Sequence, residues 1–547
     1  MTQVDLKKED KNNIIIMHIL KLENEKFNVI KENMLENLGI EKLQLYYPIL
    51  SLYFNYYNND SFQRFTLKSP KFIQSINSKL ENKYEDSYIK NMFNCSVFDT
   101  RTGNVSNDQD IFIKILPVLD MMSYMKNDYK TCDPNLPNIY NYLTNKKINS
   151  YHNNAYIDNF FTYLGSKLVD LHMCPTFPEY FGSFTGIANS FDFDITEEYN
   201  ELKRINWFQN GLDKRFFLKQ VENKKVSEYL SEMNNLEFTD PDSESNNDTD
   251  KNVHIRNEID IDNLEELLGE DIEDSISNHD SFSESETGSN VNSESDNISI
   301  KSFNSDISFD DSLRYLYYIT VNKFPVQLVC LEKLEATLDN LIENGYDICE
   351  REWKSILFQI CFGLSVAQKN YEFVHNDLHS SNIMFKETAD EYIYFRYKNK
   401  YFRLPTYGKV TKIIDFGRAT FKVKNQIFFS DVFKKNGDAE GQYTFPYNNT
   451  LKDCKIKPNR SFDLSRLATT IIEHFSEESS IYKLLKLWCT DKNGKDLMEF
   501  NDDFNLYKLI AKNVISAVPV KQLEKKIFQE FLIKKEDIPK NSRVYYY

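Results

Sequence analysis

The chain has 547 residues, of which 41% are hydrophobic and 14% aromatic, and its formal charge is −17. This apolar content can fill a buried core, which excludes a chain that is disordered throughout. The acidity is concentrated in residues 240–311, where 22 Asp and Glu face three Lys and Arg, giving a local charge of −19. The rest of the chain is therefore about +2 by subtraction and does not oppose the binding of an anionic ligand.

Cysteines and hydropathy exclude further classes of protein. The eight cysteines form no CxxC pair and lie near no histidine at zinc-ligand spacing, so neither a disulfide frame nor a zinc site is predicted. The apolar run 14–20 is interrupted by His18 and is too short to cross a bilayer. We therefore expect an intracellular protein without a signal peptide, a membrane span or a nucleic-acid partner.

The first part of the chain is predicted to be a helical extension followed by a small lobe. Residues 1–88 mix charged and apolar positions, and four leucines between 35 and 45 recur at intervals that suit an amphipathic helix. Strand patterns around a turn then predict a hairpin over residues 94–116. A helix is expected at about 155–171, and a strand after the prolines of 175–178. This order is typical of a mostly antiparallel lobe.

The acidic segment 240–311 is rich in Ser, Asp, Glu and Asn and has little to bury, which predicts a disordered insert. A strand pattern resumes at 324–331, so the insert is expected to loop out of the lobe. Beyond residue 331 the pattern is mainly helical, apart from short strands between 382 and 416, among them an extra hairpin.

The most specific chemical signal is VHNDLHSSNIMF, residues 374–385, in which Asp377 stands five positions before Asn382. Phosphoryl transfer needs a carboxylate beside the attacking hydroxyl and an amide oxygen that can hold a metal on the phosphates. A second motif, KIIDFGRA, places Asp415 after an apolar strand, and hard cations favour such carboxylate ligands.

Together these motifs resemble the protein-kinase-like superfamily. Asp463, in SFDLSRLATTII, stands where kinases have a buried aspartate that braces the catalytic loop. The 32 residues between Asn382 and Asp415, the lack of an APE motif and the Asn-, Ile-, Lys- and Tyr-rich composition are similar to the serine/threonine protein kinases of giant DNA viruses. A viral chain would work in the host cytoplasm or be packaged in the virion.

The resemblance implies an α+β, two-lobed protein-kinase-like fold. Its predicted parts are the extension 1–88, a β-rich N-lobe 89–330 that includes the acidic insert, and a helical C-lobe 331–547. ATP and Mg²⁺ are expected between the lobes, and a protein is the expected substrate. Asp377 would be the catalytic base, Asn382 would assist catalysis and hold magnesium, and Asp415 would be the main magnesium ligand. The implied structural supports are His375, Phe416, Gly417 and Asp463.

The resemblance also implies a set of nucleotide contacts. Lys114, in DIFIKIL, corresponds to the strand lysine that pairs with the α- and β-phosphates, and Asp158 is its candidate acidic partner on the next helix. The other predicted ATP contacts are Val97, Leu331, Glu332, Lys333 and His379.

Four departures from the family pattern leave the function open. The stretch KNMFNCSV, expected to hold the phosphate loop, has no glycine, and Phe112 stands where kinases carry a small alanine. Asn376 replaces the arginine that binds a phosphorylated activation loop, and His379 replaces a lysine. A serine/threonine protein kinase is the leading hypothesis. A small-molecule kinase, suggested by His379 and the missing APE motif, and a pseudokinase scaffold, suggested by the glycine-free loop and Phe112, remain alternatives.

Overall fold

The computed structural model describes residues 17–53, 62–80, 91–130, 140–222, 315–435, 437–445, 457–500 and 503–547. Two compact units make up the chain, one of Met1–Ser190 with Asn322–Tyr547 and the other of Phe191–Val321. The acidic insert predicted at 240–311 lies outside the described residues. The predicted division into two lobes with boundaries near 89 and 331 stays a prediction.

The fold mixes α-helices with β-strands. The strands are β1 (Ile19–Lys21), β2 (Ile40–Gln44), β3 (Phe65–Leu67), β4 (Lys71–Lys79), β5 (Met92–Asp99), β6 (Val105–Pro117), β7 (Tyr180–Asp194), β8 (Phe217–Glu222), β9 (Tyr315–Glu332), β10 (Ile383–Glu387), β11 (Tyr392–Tyr397), β12 (Lys400–Pro405), β13 (Lys409–Ile413), β14 (Thr420–Val423), β15 (Gln426–Phe429), β16 (Leu532–Ile533) and β17 (Val544–Tyr546). The helices are α1 (Asn24–Leu38), α2 (Met121–Met125), α3 (Tyr142–Ile148), α4 (Asn154–Asp170), α5 (Tyr199–Leu202), α6 (Asn206–Gly211), α7 (Leu338–Glu343), α8 (Glu350–Tyr371), α9 (Phe462–Ile471), α10 (Ser480–Trp488), α11 (Asp503–Asn513) and α12 (Pro519–Gln522).

In the described part of the predicted helical extension, α1 is the α-helix. This helix ends at Gly39, whose φ of +64° is a left-handed conformation that glycine adopts without steric cost. The chain then enters β2, so the leucines at 43 and 45 lie beyond the helix. Strand β4 pairs with β5, and β2 pairs with β7. The described residues before position 81 therefore contribute β2 and β4 to the main sheet and are not helical throughout.

The main sheet of the first unit has the strand order β2-β7-β9-β6-β5-β4. Strands β5 and β6 form the predicted hairpin, in antiparallel register from Met92↔Phe112 to Phe98↔Val105. Strand β6 also pairs antiparallel with β9, with Lys114 opposite Val329. In the second unit, β8 pairs antiparallel with the first residues of β9, and α5 and α6 precede it.

Helix α4 forms close to its predicted position. Asn153 caps it by accepting a hydrogen bond from Ala155 N at 3.1 Å. Aromatic residues on α4 are buried: Phe161 stacks on Phe373 with ring centroids 3.9 Å apart and lies 4.9 Å from Phe416. This contact joins α4 to the residues flanking both predicted active-site motifs.

The C-terminal half of the first unit contains α7 to α12 and three small sheets. Strand β10 pairs with β13, and β14 pairs with β15. The predicted extra hairpin is β11 and β12, which becomes a four-stranded sheet in the order β16-β12-β11-β17. None of the helices in the described ranges has both the length and the apolar character that a membrane crossing requires.

Candidate active site

Lys114 connects three separate elements of the fold. Alternation along β6 buries Ile111 and Ile113 in the core and puts Lys114 on the other face. Its Nζ lies 3.2 Å from the carboxylate of Asp158 on α4 and 3.0 Å from Oδ1 of Asp415. Asp158 is buried, whereas the side chain of Asp415 is half exposed. The structure thus brings together Lys114 and both acids that the sequence analysis singled out.

The charges of this cluster depend on one another. The positive charge of Lys114 lowers the pKa of Asp415 to about 2, although burial acts in the opposite direction. Burial raises the pKa of Asp158, and the nearby lysine opposes that rise. Asp415 therefore stays ionised near neutral pH, while Asp158 depends on Lys114 for its charge.

Asp158 has a second role that the sequence did not indicate. Its Oδ1 accepts a hydrogen bond from the backbone N–H of Phe416 at 2.5 Å. The preceding residue, Asp415, has a left-handed backbone with a φ of +60°, which is unusual for a residue other than glycine. A buried carboxylate on α4 thus holds the turn of the Asp415–Phe416–Gly417 motif, with the Phe416 ring in the core.

Asp463 holds the loop that carries Asp377. Its two carboxylate oxygens accept hydrogen bonds from the backbone N–H groups of His375 and Asn376, each at 3.0 Å. Burial raises the pKa of Asp463 to about 7, and the two N–H donors oppose that rise. Burial also lowers the pKa of His375, so its ring is neutral and Nε2 donates to the carbonyl of Ile414 at 2.7 Å. The loop is therefore tied to the strand that precedes Asp415.

Asn376 makes a different connection from the arginine that kinases usually have at this position. Its side chain is fully buried, and Nδ2 donates to the carbonyl oxygens of Arg418 at 2.9 Å and Val374 at 3.2 Å. This amide ties the loop that carries Asp377 to the segment after Gly417 without a phosphate.

Asn382 is oriented by the same loop. Its Nδ2 donates to the carbonyl of Asp377 at 2.8 Å and contacts Nε2 of His379 at 3.0 Å. With both amide hydrogens directed into the loop, the amide oxygen is the atom left for a ligand. His379 stays a predicted ATP contact, and in this structure it lies beside Asn382.

Asp377 meets two residues that the sequence analysis did not single out. Its Oδ1 accepts a hydrogen bond from the hydroxyl of Tyr507 at 2.5 Å and is 3.4 Å from Nη1 of Arg418. Arg418 directly follows Gly417, so its position in the motif was a usable signal. Tyr507 lies on α11 in no recognisable motif, and nothing in the sequence connected it with Asp377.

Three of the predicted ATP contacts, Leu331, Glu332 and Lys333, lie at or directly after the end of β9. Leu331 pairs with Phe112 in the sheet, and the carboxylate of Glu332 is buried between Lys412, at 2.6 Å, and Lys386. The backbone N–H of Glu332 donates to the carbonyl of Glu179 at 3.1 Å. Glu332 thus pairs with the buried Lys412 and with the partly exposed Lys386, and its backbone N–H already donates a hydrogen bond.

Lys333 is another predicted ATP contact, and its side chain is more exposed than that of Glu332. Its ammonium lies 3.6 Å from Glu335 and 3.9 Å from Asp110. Such ion pairs at the surface contribute little to stability.

Val97 is not brought to this cluster. It lies on β5 and pairs with Ser106, eight positions along β6 from Lys114, which corresponds to roughly 25 Å of strand. Residues 92–97 of the stretch expected to form the phosphate loop belong to β5, because they alternate and pair with β4 and β6. The connection between β4 and β5, at residues 81–90, lies outside the described residues.

Replacing Asp463 by Asn is expected to lower the free energy of unfolding by about 1–3 kcal/mol, because the amide leaves one buried N–H without an acceptor. Urea unfolding measures the change. Asp120→Asn is the control: Asp120 caps α2 by accepting from Ser123 N, and asparagine caps a helix equally well. Equal stability of the two variants would contradict the bracing role of Asp463.

The chain is similar to several proteins that carry protein-kinase names. It is 32% identical over 166 residues to a protein of Acanthamoeba polyphaga mimivirus named as a serine/threonine-protein kinase, a match that covers 26% of this chain and 41% of that protein. It is 29% identical over 126 residues to a serine/threonine-protein kinase of Dictyostelium discoideum, covering 21% of this chain and 10% of the relative. It is also 29% identical over 119 residues to the serine/threonine-protein kinase haspin of Bos taurus, covering 18% and 15%.

The matched segment spans less than half the length of each of these relatives. No protein-family model matches the chain. The shared segments support the resemblance that the motifs around Asp377 and Asp415 indicated.

Proposed function

This chain resembles the protein-kinase-like superfamily, including kinases of giant DNA viruses, and from that premise we propose that it is an ATP-dependent phosphotransferase. The proposed activity is that of a serine/threonine protein kinase, which moves the γ-phosphate of Mg-ATP to a hydroxyl group of a protein. We further propose that the main sheet with α4 is the N-lobe of a two-lobed kinase fold and that α7 to α12 belong to the C-lobe.

The observation that best supports the proposal is that two acidic residues from distant parts of the chain contact Lys114. Asp158 and Asp415 are 44 and 301 positions away from Lys114, and both reach its ammonium group. A purely structural ion pair needs one partner, usually buried. Here Asp158 is buried and fixes the lysine, while the side chain of Asp415 is half exposed and accessible to a ligand. Such an arrangement suits a lysine that aligns phosphates.

Asp377 has the chemistry that the transfer requires. We propose that its Oδ2 accepts a hydrogen bond from the acceptor hydroxyl and orients the oxygen toward the γ-phosphorus. The acceptor oxygen forms a bond to that phosphorus as the bond from phosphorus to the β–γ bridging oxygen breaks. The hydroxyl proton passes to Asp377, and ADP leaves. Lys114 stabilises the negative charge on the phosphates during this displacement.

Asp415 and Asn382 fit the proposed magnesium site. Asp415 is ionised and half exposed, and Asn382 has its amide oxygen free of the contacts that use its nitrogen. Oxygen ligands of this kind suit Mg²⁺. Bound magnesium would neutralise charge on the transferring phosphates.

One alternative differs from a protein kinase in the phosphate acceptor, and the other in having no catalytic activity. A small-molecule kinase would transfer phosphate but leave proteins unlabelled. A pseudokinase would bind nucleotide or a partner without phosphate transfer. Phe112, two positions from Lys114 on β6, and the glycine-free stretch favour this alternative. Asp377, Asn382 and Asp415 are all present and oriented, which supports an enzyme.

Incubation with γ-labelled ATP, magnesium and a mixture of acidic and basic proteins tests the proposal. Label on protein, recovered as phosphoserine or phosphothreonine after acid hydrolysis, is expected. Label only in small molecules would replace the protein-kinase proposal with the small-molecule one. Nucleotide binding without any transfer would favour the scaffold.

Phe112→Ala is expected to tighten the binding of Mg-ATP on the order of threefold to tenfold, about 1 kcal/mol. Phe112 is half buried on the face of β6 that carries Lys114, two positions away, and its ring would crowd the adenine. Isothermal titration measures the dissociation constant. Phe217→Ala, at an exposed position of β8, is the control. Weaker binding by the Phe112 variant would mean that the ring stacks on the adenine instead.

A further inference from the structure

The shorter of the two side-chain contacts described for the carboxylate of Asp377 comes from a tyrosine far away in the sequence. Tyr507, on α11, is 130 positions from Asp377, and its hydroxyl lies 2.5 Å from Oδ1. The catalytic loop itself has His379 at the position where kinases usually carry a lysine, and His379 contacts Asn382. The donors to the carboxylate of Asp377 therefore come from outside the loop.

The direction of this hydrogen bond is fixed by an arginine. Nε of Arg466, on α9, donates to the hydroxyl of Tyr507 at 3.0 Å, and Nη1 of the same arginine donates to Thr469 at 3.1 Å. A guanidinium group can donate but cannot accept. The phenol must therefore direct its only proton elsewhere, and Asp377 is the acceptor within reach.

The phenol keeps this proton over a wide pH range. Burial raises the pKa of Tyr507, and the negative charge of Asp377 raises it further, while Arg466 and Arg418 act in the opposite direction. Tyr507 is consequently a neutral hydrogen-bond donor near neutral pH.

The two carboxylate oxygens of Asp377 have different surroundings. Tyr507 and Arg418 both donate hydrogen bonds to Oδ1. Among the residues that the structure describes, no side chain donates to Oδ2. One oxygen is thus held in place, and the other keeps its lone pairs for an acceptor hydroxyl.

We propose that Tyr507 is a positioning residue for phosphate transfer, whose phenol, held by Arg466, fixes Oδ1 of Asp377 so that Oδ2 faces the acceptor. This role rests on the proposed function, because it requires Asp377 to act on an acceptor. Tyr507 and Arg418 also line a cavity of about 240 Å³ together with Asp438, Glu440 and Lys508. An acceptor entering through this cavity would meet the phenol on its way to Asp377.

Tyr507→Phe removes the hydroxyl and keeps the ring, so it tests the proposal directly. We expect kcat to fall by about ten- to hundredfold, the effect of losing one hydrogen bond to a charged group. KM for ATP and the melting temperature should change little. Tyr397→Phe is the matched control, since its hydroxyl also faces a carboxylate, that of Glu524 at 3.4 Å, away from this site.

Two substitutions of Arg466 separate positioning from packing. Lysine, like arginine, only donates, whereas glutamine can accept the proton of the phenol and divert it from Asp377. Arg466→Gln is therefore expected to lose more of kcat than Arg466→Lys, at similar melting temperatures. The reverse order, or equal losses, would overturn the role of Arg466 in directing the phenol.

The outcomes for Tyr507→Phe distinguish a failure of the positioning role from a failure of the proposed function. An unchanged kcat, or a loss confined to KM for ATP, would overturn the positioning role alone. A rise in kcat would also overturn it and would make Tyr507 an inhibitory group that occupies the acceptor's place. If the unchanged protein transfers no phosphate to any acceptor, the proposed function and the positioning role both fail.

Discussion

Asp377→Asn is expected to lower the rate of phosphate transfer by about 100- to 10,000-fold, the range over which a positioned general base contributes to catalysis. Asparagine can keep the hydrogen bonds at Oδ1 but cannot accept the proton of the acceptor hydroxyl. Because neither Lys114 nor Asp415 contacts Asp377, binding of Mg-ATP should change little. Single-turnover transfer and nucleotide titration measure the two quantities separately.

Asp390→Asn, in an exposed loop, provides the control for a change of charge alone. Transfer by the Asp377 variant at the rate of this control would remove Asp377 from the mechanism. Loss of nucleotide binding together with transfer would mean that the substitution disturbs the loop more widely than the proposed role allows.

Lys114→Met is expected to abolish transfer and to destabilise the fold by about 3–5 kcal/mol, the cost of leaving a buried charge without its partner. Methionine keeps the length of the side chain but leaves Asp158 buried and unpaired. Since burial raises the pKa of Asp158, the variant can relieve this cost by binding a proton. The loss of stability should therefore be larger at pH 8 than at pH 5.5.

The double variant Lys114→Met with Asp158→Asn isolates this interaction. The introduced asparagine carries no charge, and its amide oxygen can still accept the hydrogen bond from the N–H of Phe416. We expect the double variant to recover most of the lost stability while transfer stays absent, since no cation remains for the phosphates. Additive losses of stability in urea unfolding would show that Lys114 and Asp158 are not coupled.

Local patterns made the active-site motifs predictable. Asp377 and Asn382 lie within one short loop, and the hairpin that carries Lys114 is defined by alternation between near neighbours. Helix α4 has its own cap and an apolar face, so its position was also readable, and Asp158 on it does reach Lys114.

Long-range contacts account for what the sequence analysis missed. Strands β2 and β4 form because partners from β7 and β5 complete their hydrogen bonds, and the sequence of residues 40–79 does not identify those partners. Val97 was predicted as a nucleotide contact because the stretch around it was expected to form the phosphate loop, whereas residues 92–97 of that stretch pair in β5. The contact of Tyr507 with Asp377 joins a helix to a loop 130 positions away, and no motif marks it.

Parallel incubations with γ-labelled and α-labelled ATP test whether this chain transfers the γ-phosphate of ATP. We expect magnesium-dependent labelling of an acceptor from the γ-labelled nucleotide, none from the α-labelled one, and loss of the signal in Asp377→Asn. Labelling from the α-position would indicate nucleotidyl transfer, and no labelling from either nucleotide would leave a binding protein. Either result would contradict the proposed function.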